Sequence, residues 1–244
     1  MHRKILVVSL LAFAPGVFAD VDFDVDCTNC QPAFEDVVED IGAALNYKVL
    51  APAEAGGITG FGVGAFVNYT PVENEAAWRT LTNGEKVDAV GMAGLVASKG
   101  LPLGIDVGAF YATVPGASGV KFYGAELRYA LLEGGVAQPA LAVRGAYTTA
   151  SGIDDFDYEA WSADVSLSKG FAFVTPYVGA GYVWATATPS GALTQAPANL
   201  RKVDADNERV FAGVRLSLGL LEMTPAYERQ GDHNSYTLRL GLSF

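Results

Sequence analysis

The sequence predicts an all-β fold, a transmembrane antiparallel up-and-down β-barrel of about ten strands with one short N-terminal helix. Three observations predict it. Hydrophobic residues make up 50% of the chain and charged residues only 18%, yet no run is long enough for a transmembrane helix, which takes about 20 residues. From Gly57 to Phe244 the apolar positions recur with a period of two, not three or four. Several of these runs reach the roughly 9–11 residues that a tilted strand needs to cross a bilayer, about twice an ordinary strand.

Residues 1–19 read as a signal peptide. Met1-His2-Arg3-Lys4 is basic, Ile5 to Ala14 is apolar, and Pro15-Gly16 breaks the run before Val17-Phe18-Ala19. Cleavage is expected after Ala19, and loss of Arg3 and Lys4 moves the formal charge from −11 to −13. So acidic a chain argues against a nucleic-acid partner. The 28 glycines follow no period, which excludes a collagen-like chain.

Residues 20–56 form the next unit, expected to lie on the periplasmic side. Cys27 and Cys30 make a Cys-x-x-Cys pair, which in an exported protein reads as a small disulfide loop. A redox site would need a βαβ context, and His233 is the one histidine outside the signal peptide to support a metal. No metal or cofactor is therefore expected. Over Gln31–Leu45 a helix follows: Pro32 suits its first turn, Phe34, Val37, Val38, Ile41 and Leu45 share one face, and Glu35, Asp36, Glu39 and Asp40 make the other acidic. A lone helix this short is marginal in water. It is expected to dock at the periplasmic mouth or in the lumen as a plug, its acids toward Arg128, Arg144, Arg215 and Arg239.

Residues 57–244 are the barrel. Strands are expected at 58–70, 87–97, 103–113, 120–131, 139–149, 158–168, 173–185, 208–218, 222–228 and 235–244. In the sixth, Trp161, Ala163, Val165 and Leu167 oppose Ser162, Asp164, Ser166 and Ser168. In the eighth, Val210, Ala212, Val214, Leu216 and Leu218 oppose Arg209, Gly213, Arg215 and Ser217, with Phe211 a departure on the polar side. A soluble barrel would turn these apolar faces inward and leave an outer face of glycine, serine and few charges. Tyr69, Tyr111, Tyr123, Tyr147, Tyr182, Trp184, Tyr227 and Tyr236 lie near strand ends on the apolar face, as an interfacial girdle does. Short connections (98–102, 132–138, 169–172, 219–221) alternate with longer or more polar ones (71–84, 115–119, 151–157, 186–207, 229–234). With the short ones periplasmic, both barrel ends lie on that side and the strand number is even.

The polar parity turns Asp106, Glu126, Arg128, Arg144, Asp164, Arg209, Arg215, Glu222, Glu228 and Arg239 into the lumen. This is either a polar path for small solutes or an ion-pair network that fills a narrow barrel, since unpaired charge there is costly. His233-Asn234-Ser235 resembles the histidine and serine, two residues apart, that lipid A deacylases use with an orienting acid. No such acid is identifiable in the sequence, as Asp232 is adjacent. Omptin-type proteolysis would draw on Asp154-Asp155 with His233, and a polar loop tip is the simpler reading of both traces.

The final ten residues, with Tyr236, Leu238, Leu240, Leu242 and the terminal Phe244 on one face, resemble the assembly signal of Gram-negative outer-membrane barrels. The helix, the Gly57-Ile58-Thr59-Gly60-Phe61 lead-in and the Lys99-Gly100-Leu101-Pro102 turn resemble a family of uncharacterised outer-membrane barrels, over Phe34 to Phe244. That resemblance implies outer-membrane lipid and the barrel-assembly machinery as partners and brings no activity. The expected function is a narrow passive pore for small solutes or a structural membrane component, with a surface hydrolase as the alternative.

Overall fold

A computed structural model describes residues 23, 27–82, 84–117, 119–135 and 138–244. The signal peptide and its expected cleavage point lie outside the described residues. The elements are α1 (Gln31–Leu45), β1 (Phe61–Pro71), α2 (Glu75–Leu81), β2 (Ala89–Val90), β3 (Ala93–Gly100), β4 (Ile105–Thr113), β5 (Lys121–Glu133), β6 (Ala140–Ser151), β7 (Phe156–Ser168), β8 (Val174–Pro189), β9 (Val203–Leu218), β10 (Leu221–Gln230) and β11 (His233–Ser243). Ten of these strands, β1 and β3 to β11, form the wall, each antiparallel to its neighbours. The wall closes where β1 pairs with β11, from Gly62 opposite Ser243 to Tyr69 opposite Tyr236. Closure removes the unpaired edges that lipid would not satisfy.

Burial alternates residue by residue, most regularly along β1 and β7, so the period of two is realised as an inward and an outward face. Outward side chains are large and apolar: Val67, Leu95, Leu127, Val165 and Val210 are exposed. Toward the end that carries the long loops, rings form a girdle, with Tyr227 against Tyr236, Tyr111 against Tyr123 and Tyr147 against Trp161. Toward the short-turn end Phe61, Tyr129, Phe171 and Phe244 are exposed. An apolar band between aromatic rims is a surface for a bilayer. No described helix is long and apolar enough to cross a membrane, which says nothing of a β-barrel.

Inside, small residues face large ones. A Cβ on Gly179 would lie 2.3 Å from the Phe211 ring, and one on Gly213 would lie 2.3 Å from Tyr177. Phe211, out of place by sequence parity, thus fills lumen space that a glycine vacates, packed with Tyr177 and Val49.

Several boundaries differ from expectation. β8 and β9 pair on to Ala187 opposite Val203, because small inward residues (Ala185, Ala187, Ala205) continue the alternation, and the expected 186–207 loop shrinks to 190–202. The second wall strand begins at Ala93, since Ala89–Val90 pair separately with the end of β1 and Val87, Val90 and Met92 are buried in the core that holds α1 and α2. α2 was not expected within 71–84; its Ala77, Trp78 and Leu81 are buried, and the helix packs on α1.

Residues 27–56 occupy the barrel interior, the lumen placement of the two expected for the helix, and α1 sits at the end opposite the short turns. α1 lies in the long-loop half, packed on α2 and on β1, β8, β9 and β11, with Phe34, Val37 and Val38 inaccessible. The apolar stripe explains the placement. In this half the lumen is lined by Ala160, Ala185, Ala187, Val203 and Ala205, which offer the helix an apolar socket.

Candidate functional site

The lumen is the candidate site, built from strand parity and from the segment threaded through it. After α1 the backbone extends at Asn46 (φ −73°, ψ 167°) and runs to the short-turn end as a strap, residues 46–56. All ten predicted lumen residues point inward and meet in ion pairs. Arg144 binds Asp164 (2.7 Å) and Glu126 (3.1 Å), and Arg209 also clasps Asp164. Arg209 reaches Glu228 (3.3 Å), Arg128 pairs with Asp106 (3.1 Å), and Arg239 and Arg215 share Glu222 (3.0 and 3.6 Å).

The strap completes this network. Lys48 Nζ binds Glu228 (2.8 Å), and Glu54 takes a bond from Arg215 (2.5 Å). Its carbonyls accept from the wall: Tyr47 O and Lys48 O from Arg144 (3.3 Å each), Val49 O from the Tyr177 hydroxyl (2.9 Å), and Pro52 O from Arg128 (2.8 Å). In return the Ala53 amide donates to Ser168 Oγ (3.1 Å) and the Gly56 amide to Asp106 (2.9 Å). The Asn46 side chain donates to Glu228 and Gln230 and accepts from Arg209. Buried charges are tolerable only when paired and hydrogen-bonded, and here the strap backbone supplies acceptors that the wall lacks.

The helix acids do not meet the lumen arginines as expected. Glu35, Asp36 and Glu39 are exposed, whereas Asp40, three residues from Val37, is buried at the long-loop end. There its carboxylate accepts from Trp78 Nε1 (2.8 Å) and bonds His233 Nε2 (2.8 Å). His233 and Ser235 are both buried, and Ser235 Oγ bonds the Thr70 hydroxyl (2.7 Å) and Lys48 (3.3 Å). This arrangement pins α1 to the wall. Asp40 is thus the acid that meets the His233 ring, while the Ser235 hydroxyl bonds Thr70 and Lys48.

Cys27 and Cys30 are disulfide-bonded just before α1. On β11, Tyr236, Leu240 and Leu242 face outward with Phe244 beyond them, and Leu238 lies on the same face opposite Val67 and Pro225. A cavity of about 200 Å³ remains at the short-turn end, lined by Tyr47, Glu54, Phe61, Arg215, Arg239 and Phe244. That is below the usual size of a ligand pocket, about 300–1,000 Å³.

No family model matches the sequence, and no curated protein matches it. Among solved structures it is similar to Ail, the attachment invasion locus protein of Yersinia pestis, in complex with the heparin analogue sucrose octasulfate (15% identity, TM-score 0.34, 76% of this chain and 97% of that one). It is similar also to KdgM porin (7% identity, TM-score 0.37, 75% and 99%) and to Neisserial surface protein A (11% identity, TM-score 0.29, 75% and 95%). These neighbours are outer-membrane β-barrel proteins. Likeness at this level adds nothing to the reading of the lumen, and the fold stands on its own closed strand ladder.

Proposed function

We propose that the chain is an integral barrel of a Gram-negative outer membrane, closed by its own N-terminal segment, and that it serves as a structural, surface-presenting component and not as a standing pore. The observation that carries this reading is the strap: it continues α1 through the lumen to the short-turn end and is tied at Tyr47, Lys48, Val49, Pro52 and Glu54 to residues of the wall. A passive path for small solutes would need those contacts to release together. In this reading the short turns face the periplasm, lipid surrounds the apolar band, and the barrel-assembly machinery takes up the β11 end at Phe244.

Planar bilayers test it. The full-length protein is expected to insert without steady conductance, and a chain lacking residues 20–56 to give discrete steps. Steady, discrete steps from the full-length protein would show a pore and overturn the reading.

A further inference from the structure

We propose that the barrel carries its own N-terminus across the outer membrane, so that the chain preceding Cys27 is displayed on the cell surface. This rests on the reading above that the short turns are periplasmic. A chain exported into the periplasm would ordinarily leave its N-terminal tail there, and the structure runs the other way.

Contacts along the segment step from one end of the barrel to the other. At the long-loop end the Phe23 ring meets Phe156 (5.7 Å) and Trp78 (6.5 Å), and Gln31 accepts from the Arg201 amide (2.8 Å) in the β8–β9 loop. Next comes Asp40 on His233, the first residue of β11. Asn46 and Lys48 then reach Glu228 and Arg209, and Val49 reaches Tyr177. Pro52 meets Arg128, Ala53 meets Ser168 at the last position of β7, and Gly56 meets Asp106 beside the short turn. Residues 46–56 can extend over roughly 36 Å, which matches a hydrocarbon core about 30 Å thick.

At the short-turn rim the chain reverses. Gly60 N donates to Gly57 O (3.0 Å), and Gly57 has φ +68°. A Cβ on Gly60 would lie 2.1 Å from Gly56 O, and one on Gly100 would lie 2.1 Å from Gly57 O. Glycines thus let the strap leave the lumen and turn directly into β1. Strap and β1 make one hairpin over the periplasmic rim, and its free arm ends outside.

Two measurements on the full chain test this. A short epitope between Asp20 and Val21 is expected to bind antibody on intact cells, as an epitope in the 195–199 loop does and one in the 134–138 turn does not. On the untagged protein, a membrane-impermeant amine reagent is expected to label the α-amine of the mature chain, read by mass spectrometry of the N-terminal peptide. If the loop epitope is reached on intact cells while epitope and α-amine at the N-terminus require permeabilisation, the threading is overturned although the barrel reading survives. If the turn epitope is reached and the loop epitope is not, the orientation fails and the proposal with it. Neither result depends on whether the barrel conducts.

Discussion

Asp164 is the lumen residue on which most depends, because two arginines close on its one carboxylate and all three side chains are buried. Removing one partner of a buried ion pair costs about 3–5 kcal/mol, because the remaining charge stays desolvated. Asp164→Ala is expected to cost about that much, read as a lower temperature at which the folded barrel loses its compact migration in detergent gels. Glu54→Gln is expected to cost far less, about 0–1 kcal/mol, because Glu54 and Arg215 are each about a quarter exposed and Glu222 still faces the arginine. Equal effects of the two would mean that the network does not hold the wall. The wall charges among these follow from parity alone, since a period of two assigns a face to each strand residue, whereas Glu54 lies outside the strands and has no such signal. What parity cannot show is which acceptors meet the charges. Arg144 and Arg209 also donate to the strap, to the Tyr47 and Lys48 carbonyls and to Asn46, and a backbone carbonyl has no signature in a sequence. Asp40 was read with the exposed acids because it flanks the apolar stripe, and only the position of Trp78 and His233 reveals it as buried.

Elements show the same division between pattern and context. α1 was legible at both ends, Gln31 and Leu45, because a five-residue apolar stripe follows Pro32. α2 was not, since seven residues give barely two turns and its Ala77, Trp78 and Leu81 gain meaning only against α1. The turn at the short-turn rim was read as a lead-in to β1, although its glycines make room for the strap. Gly100→Ala puts a methyl onto the Gly57 carbonyl, where backbone must move, and overpacking of this kind costs about 1–3 kcal/mol. Its expected effect is a less heat-resistant barrel with flickering conductance as the strap loosens. Gly145→Ala is the control, because its Cβ would meet only Ser162 O at 3.9 Å. A barrel with Gly100→Ala as silent and as heat-resistant as this control would separate the rim turn from closure.

At the scale of the whole molecule, strap and wall are two electrically balanced parts. The wall contributes Arg128, Arg144, Arg209, Arg215 and Arg239 against Asp106, Glu126, Asp164, Glu222 and Glu228, and the strap adds Lys48 and Glu54. The strap therefore closes the lumen by filling it and by bonding to it, without neutralising an excess of either sign. Emptying the barrel should expose a lumen whose charges still pair with one another along Arg144, Asp164 and Arg209, and across Arg239 and Glu222. Ion selectivity needs a net field along the path, and paired charges of opposite sign cancel beyond a Debye length, about 8 Å at physiological salt. The chain lacking residues 20–56 is thus expected to conduct with little preference between cations and anions, and its reversal potential in a tenfold salt gradient should stay near zero. A reversal potential close to the limit for one ion would show that the wall charges regroup once the strap is gone. The network would then belong to the closed barrel and not to the wall itself.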